Sequence, residues 1–148
     1  MLRGRYMADK LDQKLKEKII KEQNNVCKIC GRTVREGNGA PHHIIKVGEE
    51  PLLRNCKTNI WWVCQIPCHD RTENEPGFNH ELQLQLQEFY FQKFQLDYFY
   101  TIYEIQQIVD MPIKDLEKAK NKGILKNSIG LVKGIDAIRF LMGGSIKE

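Results

Sequence analysis

The side chains that can bind a metal ion are concentrated in one short stretch of this chain. Three of its four histidines and all five cysteines lie between Cys27 and His69. Two cysteine pairs mark the stretch, Cys27 with Cys30 and Cys64 with Cys68. Closely spaced cysteine pairs in a reduced chain usually hold zinc, whereas disulfides belong to oxidising compartments. The pattern therefore predicts that this part of the chain folds around a metal ion.

The four paired cysteines are expected to form a closed site. The pairs are separated by 33 residues, and their thiolates can surround one zinc ion tetrahedrally. Four protein ligands leave no open position for a substrate, so the role predicted for Cys27, Cys30, Cys64 and Cys68 is structural. A zinc ion of this kind stabilises small domains whose hydrophobic core is limited. Cys56 remains, and we interpret it as a small core residue.

The histidines need a separate explanation because the zinc ion would already be saturated. The segment His42 to Val47 is rich in β-branched residues and is predicted to be a strand. Consecutive strand residues point to opposite sides, so one of His42 and His43 can bind an ion while the other accepts a proton. His69, at the start of a predicted helix, can share that ion. The alternative is that the pair fills the two faces of the strand and His69 packs locally.

The remaining pattern around this stretch predicts an α+β fold. A helix is expected from Asp9 to Glu22, because Leu11, Leu15 and Ile19 recur at helical spacing. A second strand is expected over 59–64, followed by a helix that opens at Pro67. Residues 79–98 are ambiguous, because Leu82 to Gln87 alternates with period two, yet good helix formers continue without a turn residue. We interpret them as a helix that is apolar on nearly every side and is buried between modules or against a second chain.

The C-terminal third has the outline of two helices, a small β-wing and a last helix. Thr101 and Glu104 form a predicted capping box, and the sequence around Met111 and Pro112 is a sharp break before a second short helix. Two short strands are expected at 124–126 and 129–133, around a turn at Asn127 and Ser128. A final helix is expected to be capped by Asp136.

The order of the metal-binding residues resembles that of the HNH endonucleases. The matching features are a Cys-x2-Cys pair, then His42-His43-Ile44, then Asn59-Ile60-Trp61-Trp62-Val63-Cys64, then Cys68-His69. The resemblance covers roughly residues 10–75 and points to the branch of that family in which a ββα-metal site lies beside a four-cysteine zinc. Cys64 and Cys68 depart from it, because three residues separate them where the family usually has two.

This resemblance implies roles for individual residues. His43 is similar to the general base that takes a proton from water for attack on a phosphodiester. His42 and His69 are similar to the ligands of a catalytic divalent ion, which could be Mg2+, Mn2+ or Ni2+. Glu73 is a further candidate ligand, and the alternative is that it is an ordinary solvated charge on the helix. Asn59 is similar to the residue that holds the loop so that the base is oriented. Arg71 is a candidate phosphate contact because it lies beside the site.

Residues 101–142 resemble the winged helix-turn-helix of excisionase and MerR-type regulators. The matching features are the Thr-x-x-Glu helix start, the Met-Pro turn and the final helix Asp136 to Leu141. On this reading the second helix contacts DNA. The candidate DNA-binding residues are Lys114, Lys118, Lys120, Asn121 and Lys122. The alternative is a small interaction or dimerisation module with ordinary surface lysines.

Together these features predict three parts: a nuclease domain over 1–78, a packing helix over 79–100 and a DNA-binding domain over 101–148. The predicted function is metal-dependent DNA cleavage by a phage-borne or mobile-element-borne HNH endonuclease, with structural zinc, a catalytic divalent ion and DNA as partner. The alternative is a non-cleaving, zinc-stabilised DNA-binding regulator. The N-terminus resembles no secretory signal and no membrane span is evident, so we expect a cytoplasmic protein of a bacterial or phage-infected cell. The aromatic helix suggests a homodimer.

Overall fold

The computed structural model describes residues 11–148, which have an α+β architecture with six α-helices and two small antiparallel sheets. The elements are α1 (Gln13–Glu22), β1 (Gly39–His43), β2 (Ile60–Cys64), α2 (Asp70–Asn74), α3 (Phe78–Lys93), β3 (Phe99–Tyr100), α4 (Ile102–Val109), α5 (Ile113–Asn121), β4 (Val132–Lys133) and α6 (Gly134–Leu141). Short 3₁₀ turns occupy Pro51–Leu53 and Lys57–Asn59. The predicted α+β class is confirmed.

Helix α1 begins later than the sequence predicted. Asp12 is its N-cap, since its carboxylate accepts hydrogen bonds from the backbone N–H groups of Lys14 and Leu15 at 2.9 and 3.1 Å. This cap satisfies amides that would otherwise lack a partner, and the helix therefore starts at Gln13. The predicted start at Asp9, like the N-terminal stretch 1–7, lies outside the described residues.

The first sheet pairs β1 with β2, from Gly39 opposite Cys64 to His43 opposite Ile60. The predicted second strand is confirmed to within one residue, but the position of the first was wrong. The Ile44 N–H still bonds to the Asn59 carbonyl oxygen at 2.9 Å, but the Ile45 N–H bonds to the Asn59 side chain at 2.8 Å instead of a backbone partner, so the strand ends at His43. The two histidines therefore lie at the end of β1 and not at its start.

A wide helical turn, Gln65–His69, connects β2 to α2 and contains a cis peptide bond between Ile66 and Pro67. The predicted helix start at Pro67 was therefore wrong, since α2 begins at Asp70. His69 immediately precedes this helix, and Cys68 lies within the turn. The same turn thus carries one residue of each predicted metal site.

The ambiguous segment forms a helix, α3, with one well-buried side. The buried residues of α3 are Leu82, Gln83, Leu86, Gln87 and Tyr90. The helix ends at Lys93 and not at Tyr98, because Phe94 turns extended and inserts into the core. The Tyr100 hydroxyl accepts the Gln95 N–H at 2.8 Å and so fixes this exit. The prediction of apolar residues on nearly every side was wrong, because several of the aromatic residues lie beyond the helix.

In the C-terminal third, the capping box of Thr101 and Glu104 is confirmed, as is the break before α5. The predicted hairpin of two wing strands was wrong: β4 pairs with β3, from Phe99 opposite Lys133 to Tyr100 opposite Val132. Asp136 does not cap the last helix, which begins at Gly134. Its carboxylate instead accepts a hydrogen bond from Arg139 at 3.0 Å.

One continuous hydrophobic core runs from Ile19 in α1 to Met142 after α6. Contacts between distant segments include the Lys57 N–H, which donates to the Asp110 carbonyl oxygen at 2.9 Å, and Lys18, which bonds the Asp110 carboxylate at 2.6 Å. The predicted boundaries at residues 78 and 100 stay a prediction. Between residues 11 and 148, no helix has the length and apolar character needed to cross a membrane.

Candidate metal centre and active site

The structure brings the four paired cysteines into one cluster. The sulfur atoms of Cys27, Cys30, Cys64 and Cys68 all lie within 4.8 Å of one another, and those of Cys30 and Cys64 are 4.0 Å apart. Zinc–thiolate bonds of about 2.3 Å in a tetrahedron place the sulfurs about 3.8 Å apart. The arrangement therefore fits a metal ion such as zinc with little adjustment.

Three pieces of backbone supply these thiols: the turn after α1, the end of β2 and the wide turn before α2. The first turn is fixed to the sheet because the Lys28 N–H donates to the Trp62 carbonyl oxygen at 3.0 Å. Burial raises the pKa of the Cys64 and Cys68 thiols. A bound cation would oppose this effect by favouring the thiolate. A metal ion bound here would supply the positive charge that stabilises the thiolates.

Cys56 is separate from this cluster, in agreement with its interpretation as a core residue. It is fully buried, and its sulfur lies 3.4 Å from the Thr58 hydroxyl and 3.8 Å from the Val109 carbonyl oxygen. Burial raises the pKa of this thiol. The Cys56 thiol is therefore protonated near neutral pH, and it packs between the two 3₁₀ turns and α4.

A second cluster contains His42, His69 and Glu73. One ligand atom from each lies within 4.8 Å of the others. The two imidazole rings meet edge to face with centroids 5.3 Å apart, and His69 Nε2 is 4.0 Å from the Glu73 carboxylate. Imidazole nitrogen and carboxylate oxygen are donors that divalent ions accept. The chemistry of this group fits such an ion, with the three residues that the sequence indicated.

Asn79 fixes the orientation of His42. His42 Nε2 lies 2.7 Å from Asn79 Oδ1, which can only accept, so Nε2 carries the proton and Nδ1 keeps its lone pair. The Asn79 amide nitrogen in turn donates to the Ile44 carbonyl oxygen at 3.2 Å. Burial lowers the pKa of His42 to about 4, despite the hydrogen bond to Asn79. The imidazole is therefore neutral near pH 7, the form that binds metals.

His43 is oriented in the same way by a backbone group. Its Nε2 donates to the Arg54 carbonyl oxygen at 2.8 Å, which leaves Nδ1 as the acceptor nitrogen. Burial lowers the pKa of His43, so this imidazole is also neutral near pH 7. His43 and the three residues of the second cluster line one cleft of about 190 Å³. The other residues that line the cleft are Pro41, Lys46 and Val47.

Asn59 does not line this cleft but lies fully buried behind it. Its side chain bonds both backbone groups of Ile45 and also reaches the Leu53 carbonyl oxygen at 3.5 Å. These bonds hold the loop that leads from β1 to Arg54, the residue that orients His43. Asn59 is thus placed to position His43 indirectly.

Lys46 and Gln65 complete the surroundings of the second cluster. Lys46 Nζ donates to the Glu73 carboxylate at 3.1 Å, and this bond lowers the pKa of Glu73. Gln65 Nε2 lies 3.1 Å from His69 Nδ1 and 3.1 Å from the Asp70 carboxylate. Because the Lys46 hydrogen bond lowers the pKa of Glu73, this carboxylate is ionised near neutral pH. Its charge is shared between Lys46 and any bound cation.

Sequence reasoning missed Asn79, Lys46 and the Arg54 carbonyl. Asn79 lies on α3, 37 residues beyond His42, and no local motif connects the two positions. Lys46 is closer, but the predicted strand through Val47 placed it on an extended segment and not beside Glu73. The Arg54 contact uses a backbone oxygen, which every residue has. Asn79 and Gln83 are four residues apart on one face of α3, and both donate to the Ile44 carbonyl oxygen. This spacing is the one sequence signal that could have indicated a polar helix face.

The candidate DNA contacts lie on or just after α5. Lys114, Lys118, Asn121 and Lys122 are exposed, whereas Lys120 is partly buried. Arg71 does not line the cleft: its guanidinium forms two hydrogen bonds with Glu75, at 2.7 and 3.2 Å, and lies over the Phe78 ring. The roles predicted for these residues stay predictions.

Comparison with known proteins identifies no relative from which a function could be inferred. No family model, no curated protein and no solved structure matches this chain. The two clusters and the cleft are therefore the features that bear on function.

Proposed function

We propose that this protein is a metal-dependent DNA endonuclease of the HNH type that hydrolyses phosphodiester bonds. The observation that carries the proposal is the cleft in which neutral His43 adjoins the group His42, His69 and Glu73. The order of elements also supports it. Two antiparallel strands, a turn and helix α2 carry these residues in the manner of a ββα-metal unit, with the four-cysteine cluster at its base.

His43 would act as the general base. Its Nδ1 has a free lone pair because Nε2 is occupied by the Arg54 carbonyl oxygen. It takes a proton from water, and the resulting hydroxide oxygen forms a bond to phosphorus while the bond to the 3′ oxygen breaks. A solvent water then protonates the departing 3′ oxygen. The expected products are 5′-phosphate and 3′-hydroxyl ends. A neutral imidazole suits this task near neutral pH.

The residues that would hold the catalytic ion are His42 and His69, with Glu73 as a third donor. A divalent ion bound there supplies positive charge that stabilises the transition state and the departing oxygen. Two imidazole nitrogens make such a site tolerant of Mn2+ or Ni2+ as well as Mg2+. His42 is preset for this role, since Asn79 holds its ring and its tautomer. Zinc would be confined to the four cysteines.

A nicking assay on supercoiled plasmid tests the proposal directly. We expect zinc-loaded protein to relax the plasmid when Mg2+, Mn2+ or Ni2+ is added, and His43→Ala to lose cleavage by roughly two orders of magnitude or more. His80→Ala is the matched control, because His80 is exposed, bonds the Glu148 carbonyl oxygen and lies outside the cleft.

The outcomes separate the enzyme from a DNA-binding regulator. If His43→Ala binds duplex DNA as wild type does but no longer cuts it, the base assignment gains support. If wild type binds DNA and no tested ion produces nicks, the regulator becomes the better description. Equal nicking by wild type and His43→Ala would remove His43 from the reaction.

A further inference from the structure

The strongest feature outside the cleft is the tip of the turn that precedes β4. The side chain of Ile129 is 98% exposed, more than any other large hydrophobic residue between residues 11 and 148. Its φ angle is +50°, in the left-handed region that β-branched residues avoid. An isoleucine that makes no packing contact and sits in an unfavourable backbone conformation contributes nothing evident to folding. Such an outlier points to a function.

The turn presents this side chain rigidly. Ser128 and Leu131 exchange two backbone hydrogen bonds of 2.8 and 3.0 Å, which leaves only Ile129 and Gly130 at the tip. The Asn127 side-chain oxygen accepts the Gly130 N–H at 3.2 Å and closes the turn further. Both tip residues have positive φ, a geometry for which Asn-Gly is the usual sequence. Isoleucine stands where asparagine would be the relaxed choice.

The segment of the sequence that carries the tip is basic. Residues 113–133 carry six lysines against two carboxylates, a formal charge of +4. The whole chain has 23 basic and 19 acidic residues and also carries +4, so the remaining 17 and 17 cancel. None of the six lysines has a carboxylate partner within the described part of the chain, 11–148. The six are Lys114, Lys118, Lys120, Lys122, Lys126 and Lys133.

The positive charge of this segment favours a nucleic-acid duplex over a second copy of the chain as the partner of the exposed apolar tip. A second copy of the chain would bring two like-charged segments together in a symmetric interface, which is unfavourable. A nucleic-acid duplex is attracted by the same lysines through its phosphates. Proteins that bind the minor groove frequently insert apolar side chains between base pairs. The charge and the apolar tip together therefore suit a DNA duplex.

We propose that Ile129 is an apolar wedge that inserts into the minor groove of duplex DNA and partly unstacks one base step. Lys126 and Lys133, on either side of the turn, contact the flanking phosphates. The proposal depends on DNA being the partner, as in the proposed function, but not on cleavage. Insertion is easiest at flexible pyrimidine–purine steps, so the wedge would favour sites that contain them.

The test uses Ile129→Gly in the zinc-loaded chain of 148 residues. Glycine adopts a positive φ freely, so this variant keeps the turn and should unfold at the same or a higher temperature than wild type. The probe is a fluorescein-labelled duplex with a central TA step, with 2-aminopurine at that step in a second duplex. We expect affinity to fall roughly tenfold with an unchanged salt dependence, because phosphate contacts remain. The rise in 2-aminopurine fluorescence on binding should disappear.

Two further variants sharpen the test. Tyr103→Ala removes another exposed hydrophobic side chain, on α4, and should leave affinity and fluorescence unchanged. Lys126→Ala should instead reduce the salt dependence of binding while the fluorescence rise persists.

Equal duplex binding by wild type and Ile129→Gly would overturn the wedge, as would a wild-type dimer that this substitution dissociates. Failure of wild type to bind any duplex would overturn it as well. If duplexes are bound and distorted but never cut, only the proposed nuclease function fails. If plasmid is cut and Ile129→Gly binds normally, only the wedge fails.

Discussion

The side-chain amide of Asn59 takes the place of a strand partner for Ile45. Its Oδ1 accepts the Ile45 N–H at 2.8 Å, and its Nδ2 donates to the Ile45 carbonyl oxygen at 3.0 Å. Both residues are fully buried, so neither backbone group has water as a substitute. At Ile45, the loop that leads from His43 towards Arg54 is therefore held by the Asn59 side chain.

We expect Asn59→Ala to destabilise the fold by about 3 kcal/mol, because it leaves two buried backbone groups without partners. Urea unfolding at constant zinc concentration measures the change. Asn121→Ala, an exposed asparagine at the end of α5, is the control and should change stability by less than about 0.5 kcal/mol. Equal stability of the two variants would mean that water or another side chain can replace the Asn59 amide.

Sequence reasoning was most successful where the interactions are local, or where the chemistry of the residues limits what they can bind. The four-cysteine cluster could be predicted because thiol chemistry and spacing limit what such residues can do. The grouping of His42 with His69 and Glu73 followed from a motif resemblance, and the roles assigned to these residues stay predictions. The capping box of Thr101 and Glu104 was predicted because all its partners lie within one turn of helix.

The failed prediction of a C-terminal hairpin has its physical cause in long-range pairing. The segments 124–126 and 129–133 look like a hairpin, yet β4 pairs with Phe99–Tyr100, more than thirty residues earlier. The Leu125 side chain is buried, and the Leu125 N–H bonds to the Ala119 carbonyl oxygen, which removes 124–126 from any sheet. The local sequence pattern does not show which distant strand β4 will pair with.

Gly134 shows how closely α6 approaches the chain that leaves α3. A Cβ atom placed on Gly134 would overlap the Gln95 carbonyl group. We expect Gly134→Ala to cost about 1–3 kcal/mol, because backbone atoms must move to admit the methyl group. Gly48→Ala is the matched control, since nothing lies within 4 Å of its added Cβ and its φ is not positive. Thermal unfolding compares the two, and an equal midpoint would contradict the close approach.

Substitution of a cysteine in the four-cysteine cluster should change the zinc content of the protein, whereas substitution of Cys56 should not. We expect one tightly held zinc per chain, and Cys27→Ser should lower this stoichiometry and the unfolding temperature together. Cys56→Ala should retain the full zinc content, because Cys56 lies with Thr58 and Val109 away from the cluster. Elemental analysis with thiol titration measures both. Full zinc content in Cys27→Ser, or its loss in Cys56→Ala, would contradict the four-cysteine site.

The ion pair between Lys18 and Asp110 should make stability depend on pH in a defined direction. The 2.6 Å hydrogen bond from Lys18 lowers the pKa of Asp110 below its ordinary 3.8, with a further contribution from the charge of Lys57. A carboxyl whose pKa is lower in the folded state contributes stability above its ordinary pKa and loses it as pH falls through the folded value.

Asp110→Asn removes this contribution without straining the backbone, because asparagine tolerates the φ of +52° found here. The wild type should therefore be more stable than Asp110→Asn at pH 6, and the difference should shrink towards zero as pH falls below the folded pKa. The pair is half exposed, so the difference at pH 6 is expected to be at most about 1 kcal/mol and to fall with added salt. Urea unfolding of both proteins across this pH range measures it, and a difference that grows on acidification would contradict the assigned pair.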